Sequence, residues 1–168
     1  ILPTFNIIKT RALEYSSWVV YCNMVGGQDE LVFDGGSMVI DPYGVIEMNA
    51  PLFEEGIYFI DIDAEEAKRA KLKNSKSSSL CQVKNNVEII NINKIVSKKR
   101  KIKSITSKIP DENELLYSAI KLGLRDYLVK NGFSSVVLGL SGGVDSALVA
   151  SIAADAIGNE NVLALIMP

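Results

Sequence analysis

The chain has 168 residues, 48% of them apolar and 23% charged, with a formal net charge of -2. This composition excludes a disordered chain, and no apolar run approaches the roughly 20 residues that a membrane-spanning helix needs. Two cysteines, Cys22 and Cys81, are too few for a disulfide framework, and the lack of histidine excludes Ser-His, Cys-His and His-metal chemistry from this chain. No secretory signal pattern is visible, so a cytoplasmic setting without membrane contact is expected.

Charge is segregated. Residues 1–63 carry 2 basic and 10 acidic side chains, residues 64–109 carry 13 and 3, and residues 110–168 carry 3 and 7. The basic middle block holds the run Lys98-Lys99-Arg100-Lys101 and a Ser-rich patch at 75–79. Clustered lysines can contact nucleic acid, but 64–109 has no aromatic residue to stack on bases, so a solvated linker is expected instead.

In the first block, Trp18 to Cys22 is aromatic and β-branched, which predicts a buried strand with Cys22 as a structural thiol. Gly26-Gly27 is expected to break it, with Gln28-Asp29-Glu30 as a polar loop. Asp34-Gly35-Gly36 then reads as a tight turn into the Ser37 strand. Ser37 to Ile40 and Val45 to Met48 flank Asp41-Pro42-Tyr43-Gly44, whose Pro and Gly suit a type I turn and predict a β-hairpin. Residues 56–62 predict a further strand and 64–73 a short charged helix. Tight hairpins between successive strands imply antiparallel pairing.

The third block has a different rhythm. Asp111 suits an N-cap with Glu114 three positions on, and Leu115, Leu116, Ala119, Ile120, Leu124, Tyr127 and Leu128 predict one apolar helical face. Gly132 ends that helix. Val136-Val137-Leu138 predicts a buried parallel strand, a second helix follows at about 146–157, Gly158 closes it, and 162–167 is another strand. Helix, strand, loop, helix, strand is the opening of a doubly wound α/β domain. The first block has too few elements to close a core and the last stops after two strands, so an internal piece of a longer protein is expected.

The chemistry lies in Gly139-Leu140-Ser141-Gly142-Gly143-Val144-Asp145-Ser146, between a strand and a helix. Helix N-terminal amides lack internal partners and carry partial positive charge, so this turn favours an anion. The glycines let the backbone approach a phosphate, and Ser141 and Ser146 add hydroxyls. Asp145 suits a Mg²⁺ held between carboxylate and phosphates. A Walker A loop is excluded because no lysine follows Lys130, and the dinucleotide Gly-x-Gly-x-x-Gly spacing is absent.

Ser141-Gly142-Gly143-Val144-Asp145-Ser146 resembles the SGGxDS signature of the PP-loop ATP pyrophosphatases. The run Leu122-Gly123-Leu124-Arg125-Asp126-Tyr127 with Asn131-Gly132-Phe133 resembles the synthetase domain of glutamine-dependent NAD⁺ synthetases. The string Val25 to Ser37 is similar to the nitrilase-like amidase domain that precedes it in that family. The resemblance implies an α/β fold in which 1–73 is the C-terminal part of an αββα amidase domain. Residues 74–109 would be a basic linker, and 110–168 the start of a PP-loop domain.

It further implies ATP-dependent adenylylation of deamido-NAD⁺ and amidation by ammonia from glutamine. ATP phosphates would lie on Gly139, Leu140, Ser141, Gly142, Gly143, Val144, Asp145 and Ser146, with Asp145 on Mg²⁺. The family's Glu-Lys-Cys triad would fall upstream of Ile1, so no catalytic residue is expected here; neither Cys22, Cys81 nor Lys9 replaces it. Small-molecule substrates and a homo-oligomer are implied, without nucleic acid. Two competing readings are another PP-loop amidotransferase and a non-catalytic nucleotide-binding or assembly fragment.

Overall fold

Short apolar runs at 19–21, 38–40 and 46–49 build a small antiparallel sheet, and the helix, strand, loop, helix and strand over 112–166 build an α/β part. In the computed structural model, which describes residues 2–74 and 102–167, the elements in chain order begin with helix α1 (Leu2–Tyr15) and strand β1 (Val19–Tyr21). Then come β2 (Val25–Gln28), β3 (Leu31–Asp34), β4 (Met38–Ile40), β5 (Ile46–Asn49) and α2 (Ala64–Lys73). After these follow α3 (Glu112–Lys130), β6 (Val136–Leu140), α4 (Val144–Ile157), a 3₁₀ turn (Asn159–Asn161) and β7 (Val162–Ile166). The Ser-rich patch, Cys81 and the basic run 98–101 lie outside the described residues.

Packing divides the chain into two units that do not follow chain order. One comprises the described residues of 1–21, 37–50 and 57–106, the other 22–36, 51–56 and 107–167.

In the first unit the strand order is β1-β4-β5, all antiparallel, with Tyr21 opposite Met38 and Met38 opposite Asn49. The central strand β4 is wholly buried. Helix α1 supplies Ile8 and the fully buried Ala12 to a core with Met38 and Ile40. The sequence reading assigned no element to 2–15. The 41–44 turn forms as expected: Asp41 Oδ1 accepts the N–H groups of Tyr43 and Val45 at 2.9 and 2.7 Å, which satisfies a buried carboxylate. Helix α2 also matches its expected span. Asp63 caps it by accepting from Glu65 N–H and pairs with Arg69 at 2.8 Å, holding that guanidinium above its ordinary pKa. Residues 56–62 form no strand, contrary to expectation, and Ile57 is 83% exposed. Strand propensity there meets no ladder partner among the described residues.

In the second unit Gly26 and Gly27 do not break a strand. They lie buried inside β2, which pairs antiparallel with β3 through Gly27 opposite Val32 and Gln28 opposite Leu31. Only Asp29 and Glu30 form the turn, with Asp29 at φ 50°. The reason is α3. A Cβ on Gly27 would sit 3.0 Å from the Cα of Gly123, and one on Gly123 would meet Val32 at 3.2 Å. Helix α3 is capped at Asp111, whose Oδ1 accepts from Glu114 N–H at 2.9 Å. Its buried positions are Leu122 and Leu128, whereas Leu116, Ile120 and Tyr127, expected on the inner face, are exposed. The apolar stripe winds around the helix, and the side bearing Leu122 and Gly123 takes the packing. Strands β6 and β7 pair in parallel, Val136 with Val162 through Leu140 with Ile166, joined by α4 in a βαβ arrangement. Tyr117 on α3 donates to Asp155 on α4 at 2.6 Å, a bond that raises the phenol's pKa.

Candidate functional site

The expected loop stands where β6 ends and α4 begins. Gly139 and Leu140 are the last residues of β6, opposite Leu165 and Ile166. Ser141, Gly142 and Gly143 make the turn, and Val144, Asp145 and Ser146 form the first turn of α4. Gly142 adopts φ 79° with nothing within 4 Å of the place its Cβ would occupy, so it is required by backbone conformation alone. Gly143 is the N-cap and brings no side-chain bond, which leaves the first N–H groups of α4 without the usual hydroxyl or carboxylate partner.

The two serines brace the loop from within. Ser146 Oγ donates to Gly143 O at 2.9 Å and lies 3.3 Å from Ser141 Oγ. With the Ser146 proton committed, Ser141 is the donor of the pair. The outward donors are therefore the backbone amides. Gly139 lies against the flexible end of the Met167 side chain, and Met167 N–H donates to Leu140 O at 3.0 Å. Met167 thus covers the stem of the loop, a role that sequence reasoning missed.

Asp145 is exposed in the first helical turn, where a carboxylate is favourable against the helix dipole. Among the described residues no group of three or more acidic or thiol side chains could hold a metal by itself. A single carboxylate beside phosphate oxygens and water is the donor set on which Mg²⁺ commonly sits, so the residues present fit a Mg²⁺ that arrives with a nucleotide.

Elsewhere in the same unit, a cleft of about 420 Å³ is lined by Lys108, Lys121 and Arg125 together with Glu54, Glu114 and Asp155. Its charges compensate one another. At the start of the second unit's first segment the Cys22 thiol is free and exposed, which corrects the expectation of a buried one: it lies just past β1 rather than within it. Lys9 rests over the Phe5 ring at 5.7 Å, a surface cation–π contact.

Sequence reasoning also gave Asp126 and Lys130 no role, although Asp126 lies in a string that carried the resemblance. Both bind the peptide of Gly27. Spacing could not reveal this, because the partners are 99 and 103 residues apart.

Comparison with known proteins accords with this geometry. Residues 4–72 match the carbon-nitrogen hydrolase family and residues 116–168 match NAD synthase. A glutamine-dependent NAD(+) synthetase of Thermotoga maritima is 42% identical over 163 residues, covering 97% of this chain and 28% of that protein. One of Aquifex aeolicus is 45% identical over 165 residues, covering 97% and 29%. The solved structure of glutamine-dependent NAD+ synthetase from Acinetobacter baumannii in complex with adenosine diphosphate superposes with a TM-score of 0.74 at 30% identity, over 99% of this chain and 26% of that one. The chain thus spans less than a third of the length of these relatives. With a hydrolase-type match followed by a synthase-type match, the chain is similar over nearly its whole length to a segment of these glutamine-dependent NAD(+) synthetases.

Proposed function

We propose that this chain is the part of a glutamine-dependent NAD⁺ synthetase in which the amidase domain gives way to the synthetase domain, and that residues 139–146 bind the phosphates of ATP. In this reading 1–73 belongs to the amidase, 74–109 is a linker and 110–168 opens the synthetase domain. The whole protein adenylylates the nicotinate carboxylate of deamido-NAD⁺ with ATP, and ammonia from glutamine then displaces AMP. The observation that carries the reading is the unfilled N-terminus of α4. Gly143 caps it without a side-chain bond, Gly142 turns the chain at φ 79°, and both serine hydroxyls are engaged inside the loop. An anion is what such a terminus lacks.

The contribution of these residues is positional and electrostatic. The backbone amides of Gly142 to Ser146 hold phosphate oxygens without reorganisation, since the serine bonds fix the turn beforehand. Asp145 would hold Mg²⁺, which when bound neutralises charge on the departing pyrophosphate. The ADP bound to the Acinetobacter baumannii relative supports a nucleotide ligand for this fold. No general acid or base is assigned in this chain, and the amidase triad is placed outside it. A cytoplasmic enzyme acting on small molecules as a homo-oligomer completes the reading.

The test is NAD⁺ formation by the full-length protein from deamido-NAD⁺, ATP and Mg²⁺, with ammonium or glutamine as nitrogen source. Product from both sources supports the reading. No product from either overturns it.

A further inference from the structure

The hydrolase-type match ends at residue 72 and the synthase-type match starts at 116, yet the two parts meet within one packed unit. The β2–β3 hairpin comes from the first part and α3 from the second. In the chain, the hairpin is an excursion between β1 and β4, which pair with each other in the first unit. Helix α3 leads through Asn131 and Gly132 into β6 and the loop at its end.

The contact is built for close approach and for polar satisfaction together. Among the described residues strand β2 has only β3 as a ladder neighbour, so its other edge offers peptide groups. Side chains of α3 take that edge. Gly27 N–H donates to Asp126 Oδ2 at 2.8 Å, and Lys130 Nζ donates to Gly27 O. Arg125 occupies the remaining Asp126 oxygen at 3.0 Å, and the Asp126 side chain is 16% exposed. Gly27 and Gly123 lack the side chains that would separate the two backbones. A carboxylate and an ammonium thus do for this edge what a third strand would do, and they fix one register.

We propose that Asp126 and Lys130 are positioning residues that hold the hydrolase-type hairpin in register on α3, and so couple nitrogen released from glutamine to the ligase step at the loop. This rests on the function proposed above. Neither residue touches substrate in this account. Their removal therefore affects turnover that needs both parts aligned, and spares turnover fed by free ammonium.

The test uses the full-length protein with Asp126→Ala and the conservative Asp126→Asn, which keeps an oxygen for Gly27 N–H. The readouts are NAD⁺ formation with glutamine, NAD⁺ formation with ammonium, and amide exchange at Gly27. Asp126→Ala is expected to lower the glutamine-supported rate about tenfold while the ammonium-supported rate stays within about twofold, and to speed Gly27 exchange about tenfold or more. Asp126→Asn restores most of the glutamine-supported rate. A parallel fall of both rates overturns the proposal, as do two unchanged rates whatever the exchange shows. If the unaltered protein makes NAD⁺ from neither source, the functional reading fails. The exchange arm then judges the clamp alone: faster exchange in Asp126→Ala supports it, and unchanged exchange overturns it.

Discussion

Two of the chain's three Gly-Gly pairs, Gly26-Gly27 and Gly142-Gly143, are identical as dipeptides and opposite in purpose. Gly26-Gly27 is buried, and Gly27 is glycine because the backbone of Gly123 lies where its side chain would be. Gly142-Gly143 is exposed, and Gly142 is glycine because of its φ of 79°, with open space around it. In the first pair the N–H and C=O of Gly27 are satisfied by Asp126 and Lys130. The second leads into a helix terminus with no side-chain cap. A glycine fixed by packing is a structural joint, and one fixed by conformation beside unspent amides is a candidate site.

The contrast can be broken by substitution. Gly27→Ala forces α3 away from β2 and is expected to cost about 1–3 kcal/mol in a urea unfolding curve, with little direct effect on ATP binding. Asp145→Asn is expected to weaken ATP binding about tenfold in Mg²⁺ and to leave it unchanged in EDTA, as measured by titration calorimetry. Gly142→Ala is sterically accommodated, so its cost should be only about 1 kcal/mol from the left-handed backbone, accompanied by weaker ATP binding. If Gly27→Ala were the milder change for folding, the division between joint and site would fail.

What was legible in the sequence follows the range of the forces involved. The 41–44 turn, the cap at Asp111 and the strand–loop–helix around Gly142 depend on neighbours within a few residues, and each stands as its residues imply. Gly26-Gly27 was misread as a break because its reason lies on α3, far along the chain. Residues 56–62 have strand propensity but no ladder partner among the described residues, and pairing is what makes a strand. Helix α1 escaped notice because its inward residues Ile8 and Ala12 are flanked by the exposed apolar Ile7 and Leu13, which blur the helical period. At the site, the loop residues were legible, but the inward commitment of both serines and the covering by Met167 were not. They depend on rotamers and on the strand after α4.

The smallest expected effect concerns Tyr117. Its folded pKa is raised above 10.0, chiefly by the hydrogen bond to Asp155 and further by burial and the Asp155 charge. The phenol's stabilising contribution is therefore fully present below pH 10.0, its unfolded value, and is lost as pH rises through the raised folded value. Tyr117→Phe should lower the melting temperature slightly at neutral pH, and should flatten the alkaline limb of the stability profile relative to the unaltered protein.

The most direct test of the central claim is amide hydrogen exchange with and without ATP and Mg²⁺. Protection is expected on ATP addition at the amides of residues 142–146, with β2 and β3 unchanged. Protection centred instead on Lys121 and Arg125 in the 420 Å³ cleft, with 142–146 unaltered, would contradict it.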